Sequence, residues 1–168
     1  MCKFIQLNSL TNFSFVHCIP KVKRLFIKYF GYIQDDFSCV KNINDYIFSL
    51  RPFFWLILDY DENFMGFVYL DNIVGGNNEM FSAELTTVFE PAAWGSFTRY
   101  SAKIFLKKCF DELNLQKITA NIYPDNYRVK NLLKDAGFTY ETTLKNATKR
   151  NGKFQDIDIY AIYRSYYM

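Results

Sequence analysis

The chain is short of the residues that build metal and disulfide scaffolds. It has one histidine, His17, and four cysteines, Cys2, Cys18, Cys39 and Cys109, with no CxxC pair among them. That scatter argues against a structural zinc site, which needs clustered thiolates and imidazoles. It also argues against a disulfide framework, so a reducing, cytoplasmic setting is the expectation. Long apolar runs are missing as well. The longest, Pro52 to Leu58, is far below the ~18 residues a membrane-spanning helix needs, and the N-terminus lacks the basic, apolar, small-residue order of a secretory signal. Charge of one sign is scarce. Twenty Lys and Arg against 17 Asp and Glu leave a net charge of +3, a weak basis for binding nucleic acid. No internal repeat or low-complexity linker divides the chain, so its 168 residues read as one domain, 1–168.

What the chain does have is apolar mass. Half its residues are hydrophobic (50%) and a fifth are aromatic (20%), enough to build a sizeable core. Phe4, Ile5 and Leu7 start a strand, with Phe13, Phe15 and Cys18 continuing an edge. Val22, Leu25, Phe26 and Phe30 share one side of a helix over Lys21–Phe30, which Gly31 should stop. Lys23, Arg24 and Lys28 read as its solvated face, with a groove-binding helix as the alternative. Ile43–Leu50 is a second helix, capped by Asn42 or Asn44. Phe53–Asp59 and Met65–Ile73 are antiparallel strands around the turn Asp61–Asn63, with Gly66 at a bulge. Gly75–Asn78 is a turn, and Phe81–Phe89 is the next strand. A helix over Thr98–Leu113 has Ala102, Phe105, Cys109 and Leu113 inside and a basic stripe of Arg99, Lys103 and Lys107 outside. Lys117–Tyr123, Tyr140–Asn146 and Ile157–Tyr163 are strands, with a hairpin turn at Asn151-Gly152.

The stretch from Asn121 to Phe138 is the most informative. A strand ends, Pro124 turns the chain, and Val129, Leu132, Leu133 and Ala136 recur on one helical face. Asp125 or Asn126 is a natural N-cap, Gly137 fits the left-handed position past the helix end, and Phe138 can fold back on Leu133. Upstream, Pro91-Ala-Ala-Trp94-Gly95-Ser96-Phe97-Thr98-Arg99 opens a helix, and downstream Lys149 to Asp158 runs into an aromatic strand. In order and spacing these segments resemble the GNAT superfamily of N-acyltransferases from about Phe53 to Arg164, and within it the group that acetylates protein N-termini and its phage-borne relatives.

The resemblance implies an α/β fold: a GNAT-like mixed, mostly antiparallel sheet with a splayed central pair of strands, Phe81–Phe89 and Lys117–Tyr123, and flanking helices. It implies acetyl-CoA as acyl donor, its pantetheine arm on the backbone of Thr87, Val88 and Phe89, and its pyrophosphate at the helix N-terminus near Trp94, Gly95, Ser96, Phe97, Thr98 and Arg99. Here Phe97 stands for the family's central glycine and Arg99 for a small residue, where a side chain hinders close phosphate approach. Ser96, Thr98 and Ser101 could donate hydroxyls and Arg99 and Lys103 charge, or they could be helix caps and a solvated face. Asn126 matches an Asn that bonds the cofactor arm, and is equally a helix cap. Leu133 replaces the usual Tyr that protonates the leaving thiolate, which leaves Tyr123 or a water. Glu84, on an apolar strand between Phe81 and Leu85, is the candidate general base, or else an ion-paired strand residue; Glu90, beside Pro91, should be solvated. The activity implied is direct acetyl transfer to an amine, on a protein N-terminus or a small molecule, without nucleic-acid or membrane partners. The alternative is a GNAT-fold binding or assembly module without transfer activity.

Overall fold

A computed structural model describes residues 1–7, 16–33, 40–76 and 79–167; Phe13, Phe15, Cys39 and the tip of the turn at Asn77-Asn78 lie outside them. Strands β1 (Lys3–Gln6), β2 (Phe54–Leu58), β3 (Phe64–Gly76), β4 (Glu79–Phe89), β5 (Lys117–Ile122), β6 (Thr139–Arg150) and β7 (Lys153–Tyr163) form one seven-stranded sheet in the order β1-β2-β3-β4-β5-β7-β6. Every neighbouring pair is antiparallel except β4–β5. This is the mixed sheet that the resemblance implies.

Helices cover both faces of the sheet. Helices α1 (Ile19–Ile33) and α2 (Ile43–Ser49) lie on one face. There Val22, Leu25 and Phe26 pack with Phe54, Leu56, Leu58, Phe67 and Tyr69. The Phe26 ring stacks on Phe67 with centroids 4.3 Å apart. Helices α3 (Ser96–Asp111) and α4 (Tyr127–Asp135) lie on the other, over Trp55, Ile57, Val68, Leu70, Ala83 and Ile118. A strand covered on both faces must be apolar throughout, which is why β2 reads as an unbroken run.

Several expectations shift. Helix α1 does not stop at Gly31 but runs on to Ile33, which is buried. A mid-helix glycine costs about 1 kcal/mol, less than the ~1.5–3 kcal/mol gained by burying an Ile side chain. Cys18 lies buried in a short 3₁₀ turn, Val16–Cys18, not on an edge strand. The inner face of α3 is centred on Ser101, Phe105, Leu106, Cys109 and Phe110, while Ala102 lies on its flank and Leu113 falls past its end, half-buried. Arg99, Lys103 and Lys107 are exposed, as the stripe requires. Asn42 caps α2, accepting from the Asn44 N–H at 2.9 Å.

Helix α4 ends in the expected way. Gly137 has φ 96°, its N–H reaches the Lys134 carbonyl at 3.0 Å, and the Phe138 N–H reaches the Leu133 carbonyl at 2.9 Å. That pair of bonds is the Schellman motif. At the hairpin, Asn151 and Gly152 both have positive φ, 55° and 71°, as a type I′ turn requires. The strands on either side are longer than expected, and β7 inserts between β5 and β6.

Candidate functional site

Strands β4 and β5 pair over only three rungs, Ser82↔Lys117, Ala83↔Ile118 and Glu84↔Thr119. Past Glu84 they separate. Leu85 to Phe89 keep β3 on one side and, among the described residues, have no strand on the other. Such an edge offers amides and carbonyls to any extended amide-bearing arm. Thr87 is exposed there, Val88 half-buried and Phe89 buried, so side chains of this stretch serve the core while its backbone faces the fork.

A cavity of about 280 Å³ opens at the fork. Helix α1 supplies Tyr29 and Tyr32, β3 supplies Tyr69 and Asp71, β4 supplies Glu84 and Thr86, and the end of β5 leads to Tyr123 and Asn126. No Lys or Arg is among the described residues that line it. Glu84, the candidate base, lines this cavity. Its cover is not the expected one, because Phe81 is 55% exposed and the aromatics nearby come from α1 and β3.

Asp71 is the residue that sequence reasoning missed. It sits directly opposite Glu84 in the β3–β4 register, and opposite residues share a face. Its Oδ1 is buried without a hydrogen-bond partner. Burial first, and the Glu84 charge second, push the Asp71 carboxyl up to about 6. Glu84 Oε2 instead accepts from Asn72 Nδ2 at 2.9 Å. In a regular strand, Asn72 would face away from its neighbour. Between Asp71↔Glu84 and Val74↔Ser82, however, β3 has one residue more than β4, and Asn72 has φ 46°. This bulge turns Asn72 back toward the carboxylates, as bulges beside sites commonly do. Burial drives the Tyr29 and Tyr69 phenols well above their usual value, so both stay protonated.

At the mouth, Tyr123 is buried and meets Tyr32 edge-on with centroids 5.5 Å apart. The Arg150 guanidinium lies 4.2 Å over the Tyr123 ring and bonds Asp125 Oδ2 at 2.6 Å. Asn126 Oδ1 caps α4 by accepting from the Val129 N–H at 3.3 Å, and its side chain also bonds the Tyr32 phenol. Leu133 is buried and borders the same cavity.

A second hollow of about 320 Å³ lies at the start of α3, bordered by Trp94, Gly95, Thr98, Arg99 and Arg128. The unusual backbone here belongs to Gly95, with φ 124°; Phe97 is helical and half-buried against the main core. The Phe97 side chain therefore points away from the opening without backbone strain. The Thr98 hydroxyl accepts from the Gly95 N–H at 3.1 Å and donates to its carbonyl at 2.9 Å. Ser101 Oγ donates to the Thr98 carbonyl at 3.0 Å. Both hydroxyls serve the helix, leaving the first-turn amides, exposed Ser96 and the cations to face an anion. Arg128, on α4, stacks 3.9 Å over Trp94. It was not singled out in the sequence, because nothing local marks that contact. Glu90 is not solvated as expected: it pairs with Arg24 of α1. The open edge, the amides of α3 and the two cations Arg99 and Arg128 fit an acyl-pantetheine with an anionic end; such a donor supplies the activated acetyl thioester.

The sequence matches the acetyltransferase (GNAT) domain family over residues 10–139, more than half of the chain. Among solved structures, a variant of spermidine N-acetyltransferase from Vibrio cholerae is 28% identical, with 68% of this chain and 67% of that chain covered and a TM-score of 0.62. The same enzyme in complex with CoA and spermine aligns over 99% of this chain and 97% of that chain, at 22% identity and a TM-score of 0.77. A GNAT-family acetyltransferase from Bacillus anthracis aligns over 67% and 66%, at 20% identity and a TM-score of 0.59. No curated protein sequence matches. With its sheet forked after Glu84 and the family match spanning most of its length, this chain belongs to the GNAT acetyltransferases.

Proposed function

We propose that the protein acetylates a primary amine of a small, cationic acceptor with acetyl-CoA as donor. The observation behind this reading is the fork cavity, which holds the carboxyls of Asp71 and Glu84 and has no Lys or Arg among its described lining residues. Such a site favours an ammonium ion on electrostatic grounds. A similar fold with spermine bound supports the same class of acceptor.

Transfer requires the bound ammonium to lose a proton to the protein. The neutral nitrogen then forms a C–N bond at the thioester carbon. The developing oxyanion is held by a backbone amide of the Thr87–Phe89 edge. Collapse breaks the C–S bond, and the second nitrogen proton reaches the leaving thiolate through Tyr123 or a water. The products are the acetamide, free CoA and the proton first removed. Asn126 and the Leu85–Phe89 edge position the donor arm, and Arg99 and Arg128 face its phosphates.

The hairpin sequence from Lys149 to Asp158 favours a second acceptor, the α-amine of a protein N-terminus. The test is thiol release from acetyl-CoA with spermidine, spermine and a panel of short peptides with free N-termini. Faster turnover of the polyamines is expected. Turnover of the peptides alone would overturn the small-acceptor reading, and CoA binding without any turnover would favour a binding module.

A further inference from the structure

The sequence offers one base, Glu84, but the structure sets two carboxyls side by side in unlike surroundings. Glu84 has an oxygen bonded to the Asn72 amide at 2.9 Å, which fixes its rotamer. It also lies on the last rung that β4 shares with β5, Glu84↔Thr119, at the base of the fork. At Asp71, by contrast, Oδ1 is buried without a hydrogen-bond partner. A buried, unpartnered carboxyl oxygen costs free energy unless a ligand completes it. An ammonium nitrogen in the cavity is such a ligand.

We propose that Asp71 is the group that takes the proton from the acceptor ammonium, while Glu84, held by Asn72, anchors that ammonium. The step is a transfer of one proton from nitrogen to an Asp71 oxygen, leaving the nitrogen lone pair free to attack. The proton leaves to solvent when product departs. This division of labour rests on the acetyl-transfer reading given above. It uses the bulge at Asn72, which brings the amide of one residue and the carboxyl of its neighbour to one side. The groups around Asp71 agree with it. Tyr29 from α1 and Tyr69 from β3 are protonated phenols, and Glu84 from β4 is the neighbouring acid. None of them is a cation that would hold Asp71 permanently ionised. Burial and the Glu84 charge raise the Asp71 carboxyl to about 6, close to the range in which a general base works best.

The test uses the full chain, acetyl-CoA and spermidine, following kcat/KM against pH for wild type, Asp71→Asn and Glu84→Gln. Wild type should rise to a plateau through an ionisation near 6. Asp71→Asn should lose that rising limb and ~10²–10⁴ of the rate, with CoA affinity unchanged by calorimetry. Glu84→Gln should raise KM for spermidine and keep the limb. A second readout needs no turnover: spermidine binding near that pH should release protons from wild type, seen as a buffer-dependent heat, and release none from Asp71→Asn. An Asp71→Asn protein with wild-type rate and an intact limb would overturn the proposal alone. So would loss of the limb in Glu84→Gln but not in Asp71→Asn. A wild type that binds CoA yet acetylates neither spermidine nor peptides would overturn the transferase reading and this proposal with it.

Discussion

Single residues set how closely β3 can lie against the open edge of β4. At Gly66, φ is 154° and an added Cβ would fall 2.3 Å from the Val88 carbonyl oxygen. The backbone of β3 thus presses against the edge proposed to hold the donor arm. Gly66→Ala must push these strands apart; ~1–3 kcal/mol of lost stability, the usual range for overpacking, is expected in urea unfolding, together with weaker CoA binding by calorimetry. Asp71 gives a prediction of opposite sign. Unfolded, its carboxyl titrates near ~3.9, and folded near about 6. Between those values the folded state binds more protons than the unfolded one, so stability falls as pH rises. Asp71→Asn removes that penalty. The variant should be more stable than wild type above pH 6 and show no such gain below ~pH 4, read from unfolding midpoints at both ends. A residue kept at a cost to stability in the working range is consistent with a functional role.

At the scale of elements, α4 ties the site to the sheet. Lys130 bonds Asp158 Oδ2 at 2.7 Å and Thr143 Oγ1 donates to Asp158 Oδ1 at 2.6 Å. Burial alone would raise the Asp158 carboxyl, but Lys130 and Thr143 outweigh it and hold it below its usual value. That contribution is present above the unfolded carboxylate pKa and is lost as pH falls through the lower folded value. Asp158→Asn should cost ~3 kcal/mol at neutral pH, the scale for breaking a buried pair, and much less in strong acid, by denaturant titration at both pH values. Just past the end of α4, Phe138 is buried, while Leu132 within the helix is only half-buried. Phe138→Ala should therefore cost ~3–5 kcal/mol, with Leu132→Ala costing clearly less in the same assay. The start of this helix was readable from Pro124 and Asn126, and its end from Gly137 and Phe138, because caps depend on neighbours a few residues away. The buried side of β7 was not readable. Ile157, Ile159, Ala161 and Tyr163 make the more apolar row, yet Tyr160 and Ile162 pack into the main core beside Asp158. Lys130 makes the polar residue of that row acceptable.

Across the whole molecule, the sheet separates two jobs. In the proposed reaction the α3–α4 side, with its helix amides, Arg99 and Arg128, faces the donor's phosphates, and the α1–α2 side, with the carboxyls of Asp71 and Glu84, faces the acceptor. Arg128→Ala should weaken CoA binding by calorimetry, more at low salt than at high salt, since exposed charges are screened within about 10 Å at 0.1 M ionic strength. The Arg24–Glu90 pair links α1 to the end of β4, and Glu90→Gln tests that contact. Among the described residues no helix is long and apolar enough to cross a membrane.

Sequence alone determined what short-range physics fixes. Helical periodicity marked α1, α3 and α4, alternation and branched residues marked the strands, and Asn151-Gly152 marked the hairpin, because each depends on residues within a turn or two. It also placed Glu84 on a strand, and the resemblance to the GNAT superfamily implied that this strand is one of the splayed pair. Tertiary structure decided the rest. Whether Asp71 faces Glu84 depends on β3–β4 register and on one extra residue at Asn72, and a shift of a single residue would send the carboxyl to the opposite face. Arg128 reaches Trp94 only because α4 docks beside the start of α3. These contacts join residues 13 and 34 positions apart in the chain, too distant for any local pattern to encode, and the fork cavity and the hollow at α3 are assembled from them.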